Sequence, residues 1–112
     1  MYKTDFYIAA IASRDKFNQP IKKQYFRKVS GWSETLEAPD SSIIEIRLDK
    51  RPTRWYITEE RTGYAVTLET FATRAEALAY LTPEFLQKIA DRLRAPEMLT
   101  AADRLADYIL TH

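Results

Sequence analysis

Residues 44–58 read IEIRLDKRPTRWYIT. Ile44, Ile46 and Leu48 alternate with Glu45, Arg47 and Asp49, the period of two expected of a half-buried strand. Lys50-Arg51-Pro52 turns the chain. Trp55 and Ile57 then alternate with Arg54, Tyr56 and Thr58. Glu60-Arg61-Thr62-Gly63 reads as a tight turn, with Gly63 able to take a positive φ. Tyr64, Val66 and Leu68 alternate with Ala65, Thr67 and Glu69. The stretch therefore predicts three successive antiparallel strands. One face is apolar. The other mixes signs at Glu45, Arg47, Asp49, Arg54, Glu60 and Glu69, as a wet face laced with cross-strand pairs would.

Upstream, residues 4–12 are rich in aromatic and β-branched side chains and read as a strand. Ser13 to Pro20 is polar. Residues 22–30 read as a second strand, with Tyr25, Arg27 and Val29 opposite Gln24, Phe26 and Lys28. Ser33 to Glu37 reads as one helical turn, and Ala38-Pro39-Asp40-Ser41-Ser42 as a loop. Downstream the period changes. Thr73-Arg74-Ala75-Glu76 is a capping box, and Thr82-Pro83-Glu84 repeats the start signal with proline at the first helical position. This predicts helices over 74–81 and 83–94, an interruption at Pro96, and a last helix from Thr100. Strands followed by helices predict an α+β domain: an antiparallel meander of about five strands with C-terminal helices packed on one face. The 112 residues suit one domain, with the sheet region at 1–70 and the helical region at 73–111.

Composition removes several chemistries. There is no cysteine, so disulfides, thiolate nucleophiles and cysteine-ligated metals are excluded. The two glycines, Gly31 and Gly63, are too few and too far apart for a glycine-rich phosphate loop. The one histidine is His112, at a position that frays, which leaves no Ser-His-Asp arrangement. Glu59 and Glu60 are adjacent on a strand and point to opposite faces, so they are no acid/base pair. Asp40 with Glu45 and Arg47 has the residue types of a magnesium nuclease, at a spacing shorter than such sites use. No cofactor is expected. The apolar run Phe6 to Ala12 follows an acid and has no basic leader, a poor signal peptide, and no run has the length of a membrane span. The reading expects a cytoplasmic chain with no membrane partner.

Charge is distributed unevenly. Residues 1–56 carry 11 basic and 7 acidic side chains, and residues 57–112 carry 6 and 9. The basic excess concentrates in Arg14, Lys16, Lys22, Lys23, Arg27 and Lys28, against one acid, Asp15. Aromatic side chains at Phe17, Tyr25 and Phe26 lie among them. Cations neutralise phosphates and aromatic faces stack on bases. The same residues equally suit a protein-docking surface or an edge strand guarded by lysines against aggregation. Tyr56, expected beside Arg47 and Arg54 on the wet face, adds an interface type of residue. The candidate partner-binding set is thus Arg14, Lys16, Lys22, Lys23, Tyr25, Arg27, Lys28, Arg47, Arg54 and Tyr56.

Residues 55–78, WYITEERTGYAVTLETFATRAEAL, resemble a pattern of small phage and conjugative-plasmid proteins. It has a Trp-led strand, a Thr-Gly hairpin, a second strand and a helix opening Thr-Arg-x-Glu-Ala. The resemblance covers about a fifth of the chain. It implies a mobile-element protein of the anti-CRISPR or anti-defence type, a single domain without a catalytic site that blocks a host defence or nucleoprotein complex. That class shares no motif, so no binding residue carries over. The chain is not strongly acidic, which sets it apart from the members that mimic duplex DNA. The expectation is a non-enzymatic protein-binding inhibitor acting by steric occlusion. A nucleic-acid-binding accessory protein using residues 14–28 is the alternative, and a homodimer through an exposed strand edge is open.

Overall fold

The computed structural model describes residues 2–14 and 16–112, and at 11–14 and 20–23 the backbone only. Four strands form an antiparallel meander in the order β1 (Tyr2–Arg14), β2 (Pro20–Glu37), β3 (Ile43–Lys50) and β4 (Trp55–Glu59). Three helices follow: α1 (Arg74–Tyr80), α2 (Pro83–Leu93) and α3 (Pro96–Thr111). The α+β class and the antiparallel order stand. The strand number is four rather than five.

β2 is 18 residues long and serves two neighbours in turn. β1 pairs with it from Pro20 to Ser33, and β3 from Trp32 to Glu37. Ser33 to Glu37, expected as a helical turn, is therefore strand. Its local preference yields to the ladder with β3, in which Glu34 faces Ile46 and Leu36 faces Ile44, as strand preference generally follows tertiary context.

The segment expected as a fifth strand runs beside β4 without joining it over its length. Val66 N–H donates to Ile57 O at 3.1 Å, and Phe71 and Trp55 exchange backbone bonds at 3.0 and 2.7 Å. Between these points the four residues 67–70 stand against the single residue Tyr56, so the chain loops out. Thr67 Oγ1 accepts from Glu69 N–H at 3.1 Å, a local bond that competes with the ladder, and Leu68 is left fully exposed.

The helix starts obey their signals. Thr73 Oγ1 accepts from Glu76 N–H at 3.1 Å, while the Glu76 carboxylate accepts from Ala72 N–H at 3.2 Å. Thr82 caps α2 through Phe85 N–H at 3.2 Å. Pro96 opens α3 instead of separating it from the preceding helix. Proline at the first helical position lacks a donor that would be unpaired there anyway. Thr100, expected as the start, lies inside the helix and donates to Pro96 O at 3.1 Å.

One buried cluster joins Ile44, Ile46, Leu48 and Ile57 of the sheet to Ala77, Leu81, Leu86, Ile89 and Ala90 of the helical segment. Trp32 packs at its margin, under the Arg74 guanidinium 4.8 Å from its ring centre. A second contact involves α3, whose Tyr108 ring meets Tyr7 at 5.5 Å and Phe26 at 5.0 Å. The sheet also curls. Ala9 N–H of β1 donates to Gly63 O at 2.8 Å, so the first strand reaches the turn that follows the last. Leu105 and Ile109 of α3 line two hollows, one with Glu60 and Arg61 and one with Asp5, Phe6 and Tyr7.

Two glycines permit the curl. Gly63 has φ of 72°, and a Cβ there would lie 3.1 Å from both Ala9 N and Tyr7 O. At Gly31 a Cβ would collide with the Leu48 carbonyl oxygen and approach the Phe6 ring. Gly31→Ala and Gly63→Ala are each expected to destabilise the fold by about 1–3 kcal/mol. Denaturant unfolding checks this, and Ala72→Gly, in an exposed loop, is the tolerant control.

Candidate functional site

The candidate residues divide into an exposed arm and a buried charge cluster. The arm is the β1–β2 hairpin. It stays in register from Ala12↔Lys23 down to Tyr2↔Ser33, with an irregularity between Ala12 and Arg14. Asn18 turns its tip with φ of 61°, a conformation asparagine tolerates better than most residues. Lys16 at the tip sits over the Phe17 ring, 5.1 Å from its centre, and Phe17 is 70% exposed. Tyr25, Arg27 and Lys28 are exposed along β2. The side chains of Arg14, Lys22 and Lys23 lie outside the described residues. Phe26, by contrast, turns inward onto Tyr108. Arg104 of α3 donates to Gln24 Oε1 at 2.9 Å, and Gln24 donates to the Tyr64 hydroxyl at 3.0 Å. These bonds fasten the inner face of the arm to the body.

The expected wet face is largely not wet. Phe6, Ile8, Ser33, Asp49 and Thr58 are all buried on the side opposite Ile46 and Leu48. The curl of β1 over β2 and β3 covers them. The Arg47 side chain is 11% exposed and donates to Ser33 Oγ at 2.8 Å and to Ile46 O at 3.2 Å. It also lies 3.4 Å from the Glu45 carboxylate, which Thr35 Oγ1 contacts at 3.0 Å. Arg47 is thus committed within the fold. Arg54 is exposed but bonded to Thr70, 2.7 Å to its carbonyl and 3.1 Å to its hydroxyl. Tyr56 is half-buried beneath the Arg51 guanidinium, 4.0 Å from its ring centre. These three residues do not extend the surface formed by Tyr25, Arg27 and Lys28.

Asp49 is the residue whose burial the sequence does not foretell. Its side chain is 1% exposed, and Arg51 Nε lies 2.5 Å from Oδ2. Apart from this ion pair, neither carboxylate oxygen has a hydrogen-bond partner among the described residues. Burial pushes the Asp49 carboxyl above its ordinary range, against the pull of the nearby Arg51 and Arg27. Alternation of Leu48 and Asp49 placed the acid opposite the apolar row correctly. The period of a strand says nothing about what covers the second face.

Asp40 and Glu45, the two acids with a nuclease-like composition, serve different ends. Asp40 accepts from Ser42 N–H at 2.9 Å and Gln87 Nε2 at 3.0 Å, and pairs with Arg94. The hydroxyl of Ser42, the Arg94 guanidinium and the Gln87 amide hold its carboxyl well below the usual range. Glu45 faces Thr35 and Arg47 instead. Among the described residues no group of three or more His, Cys, Asp or Glu is arranged to hold a metal. No helix among them is long and apolar enough to cross a membrane.

Opposite pH dependences follow. The folded state holds the Asp49 proton more tightly than the unfolded chain, whose ordinary value is 3.8. Its contribution to stability is present below that value and is lost as pH rises through the elevated folded one. The stability gap between the native chain and Asp49→Asn should therefore shift in favour of Asn over that interval and then flatten. Asp40 has the reverse sign. Its contribution is present above 3.8 and lost as pH falls, so the gap to Asp40→Asn should close in acid. Chemical unfolding across this pH range checks both.

Compared with family models, curated proteins and solved structures, the chain matches none of them.

Proposed function

We propose that this chain is a non-catalytic binding protein of the anti-defence type carried by phages and plasmids, which occludes a host protein complex by docking the β1–β2 arm on it. The observation that carries the reading is the arm itself. The basic residues that give residues 13–28 their excess charge belong to a two-stranded extension, and its described cations Lys16, Arg27 and Lys28 are exposed. Tyr25 and Phe17 supply exposed aromatic surface between them, at 44% and 70%. Aromatic side chains flanked by cations are the composition of an interface centre and its rim. Arg47 and Tyr56 serve the body instead, which narrows the docking surface to the arm.

A second reading is favoured by the tip. A two-stranded ribbon fits the major groove, and the Lys16–Phe17 pair presents a cation beside an exposed aromatic side chain. On this reading the arm grips phosphate and stacks on bases.

Capture from a bacterial lysate with tagged protein, with and without nuclease, separates the two. A stoichiometric protein that survives nuclease and moderate salt supports occlusion of a protein complex. Recovery of nucleic acid alone, with affinity falling by a log–log slope of about −0.9 per neutralised phosphate, supports the second reading and overturns the first. Lys16→Glu with Lys28→Glu should reduce capture at least about tenfold while changing unfolding free energy by less than about 0.5 kcal/mol per site. Unchanged capture removes the arm from the interface.

A further inference from the structure

The arm has a free backbone edge whose polarity can be read from the ladder. Ala9 N–H points away from β2, because it donates to Gly63 O. Ala9 is paired with Phe26. In an antiparallel ladder, residues at such a position turn their N–H and C=O outward on both strands. Phe26 therefore directs its backbone groups away from β1, and so do Gln24, Lys28 and Ser30, which share its parity. That is the side on which β3 lies, but β3 pairs only with Trp32 to Glu37. From Gln24 to Ser30, β2 has a ladder partner on one side only among the described residues. Tyr25, Arg27, Lys28 and Ser30 are exposed along it.

Such an edge is a template for one more strand. Charge decides which. Successive side chains alternate faces, so Arg27 stands beside the edge on one face and Lys28 on the other. A second copy of this chain would bring its own Arg27 and Lys28 against them, an arrangement like charges oppose. A strand bearing acidic side chains on both faces meets a cation on each.

The geometry points to strand addition: an extended acidic segment of the partner protein pairs with the outward backbone groups of Gln24, Phe26, Lys28 and Ser30. This deepens the occlusion reading and rests on it. Arg27 and Lys28 select the charge, and the main chain holds the segment in place.

Lys28 allows a test that leaves the fold intact, because its N–H faces the open edge and proline is tolerated at such positions. The probe is a short labelled peptide of the repeat Glu-Glu-Val-Val, which places acids on both faces of a strand, with a Lys-Lys-Val-Val peptide as control. Fluorescence anisotropy reads binding, and amide hydrogen exchange reads protection. The acidic peptide is expected to bind, to protect the Phe26 and Lys28 amides, and to be preferred over the basic one. Lys28→Ala should weaken binding by no more than about fivefold, as for a surface charge. Lys28→Pro should weaken it by about tenfold or more, since it removes a backbone bond as well. Circular dichroism confirms that both variants are folded. Equal losses in the two variants, binding without amide protection, or no preference for the acidic peptide each overturn strand addition. So does a dimer of the free chain in sedimentation. If the peptide fails while native protein still captures a nuclease-resistant protein partner, strand addition falls and occlusion stands. If both fail, the occlusion reading falls with it.

Discussion

Trp32 and Ser33 are the residues at which β2 has a strand on both sides. The rest of the architecture depends on that narrow overlap. Before it, β2 belongs to a two-stranded ribbon with β1. After it, β2 belongs to the helix-covered sheet with β3 and β4. A strand of ordinary length would serve one neighbour set. A length of 18 residues lets one element act as both the body's edge and the arm's root. Ser33 is buried at this junction and takes the Arg47 bond, so a polar contact fixes the register where two ladders meet.

The curl that joins Ala9 to Gly63 has an electrostatic cost. It covers a face whose sequence is polar, and so encloses Asp49 beside Arg51 and Arg47 beside Ser33. Buried ion pairs stabilise little against apolar substitutes, yet losing one partner is expensive. The body is thus held by an apolar cluster on one side of β3 and a charged one on the other. On the arm Lys16 and Lys28 stay exposed, and no acid from the body competes for them among the ion pairs of the described residues.

The class of the fold was legible because its strongest signals are local. Period-two alternation in Ile44–Asp49, the threonine caps at Thr73 and Thr82, and the need for Gly63 at a positive φ all appear in the structure where the residues placed them. The errors share another origin. Ser33–Glu37 is strand because of β3, and residues 67–70 leave the sheet because the Thr67 hydroxyl finds a nearer donor. Pro96 was read as an interruption although the first turn of a helix accepts it. At the candidate site, the arm's exposed cations were visible as a charge run. The withdrawal of Arg47 and Tyr56 was not, since it follows from β1 folding over a second face, a contact between residues distant in sequence.

The aromatic seat of the arm also bears on synthesis. Tyr7 and Phe26 receive their ring partner from Tyr108, which the ribosome adds on the order of ten seconds later at ordinary elongation rates. The hairpin can form during that wait, since such ribbons close in microseconds. Its inner rings stay open to water and to chaperones until the last helix emerges. The protein thus passes through a stage in which the inner rings of the ribbon are uncovered, and α3 is the element that ends it.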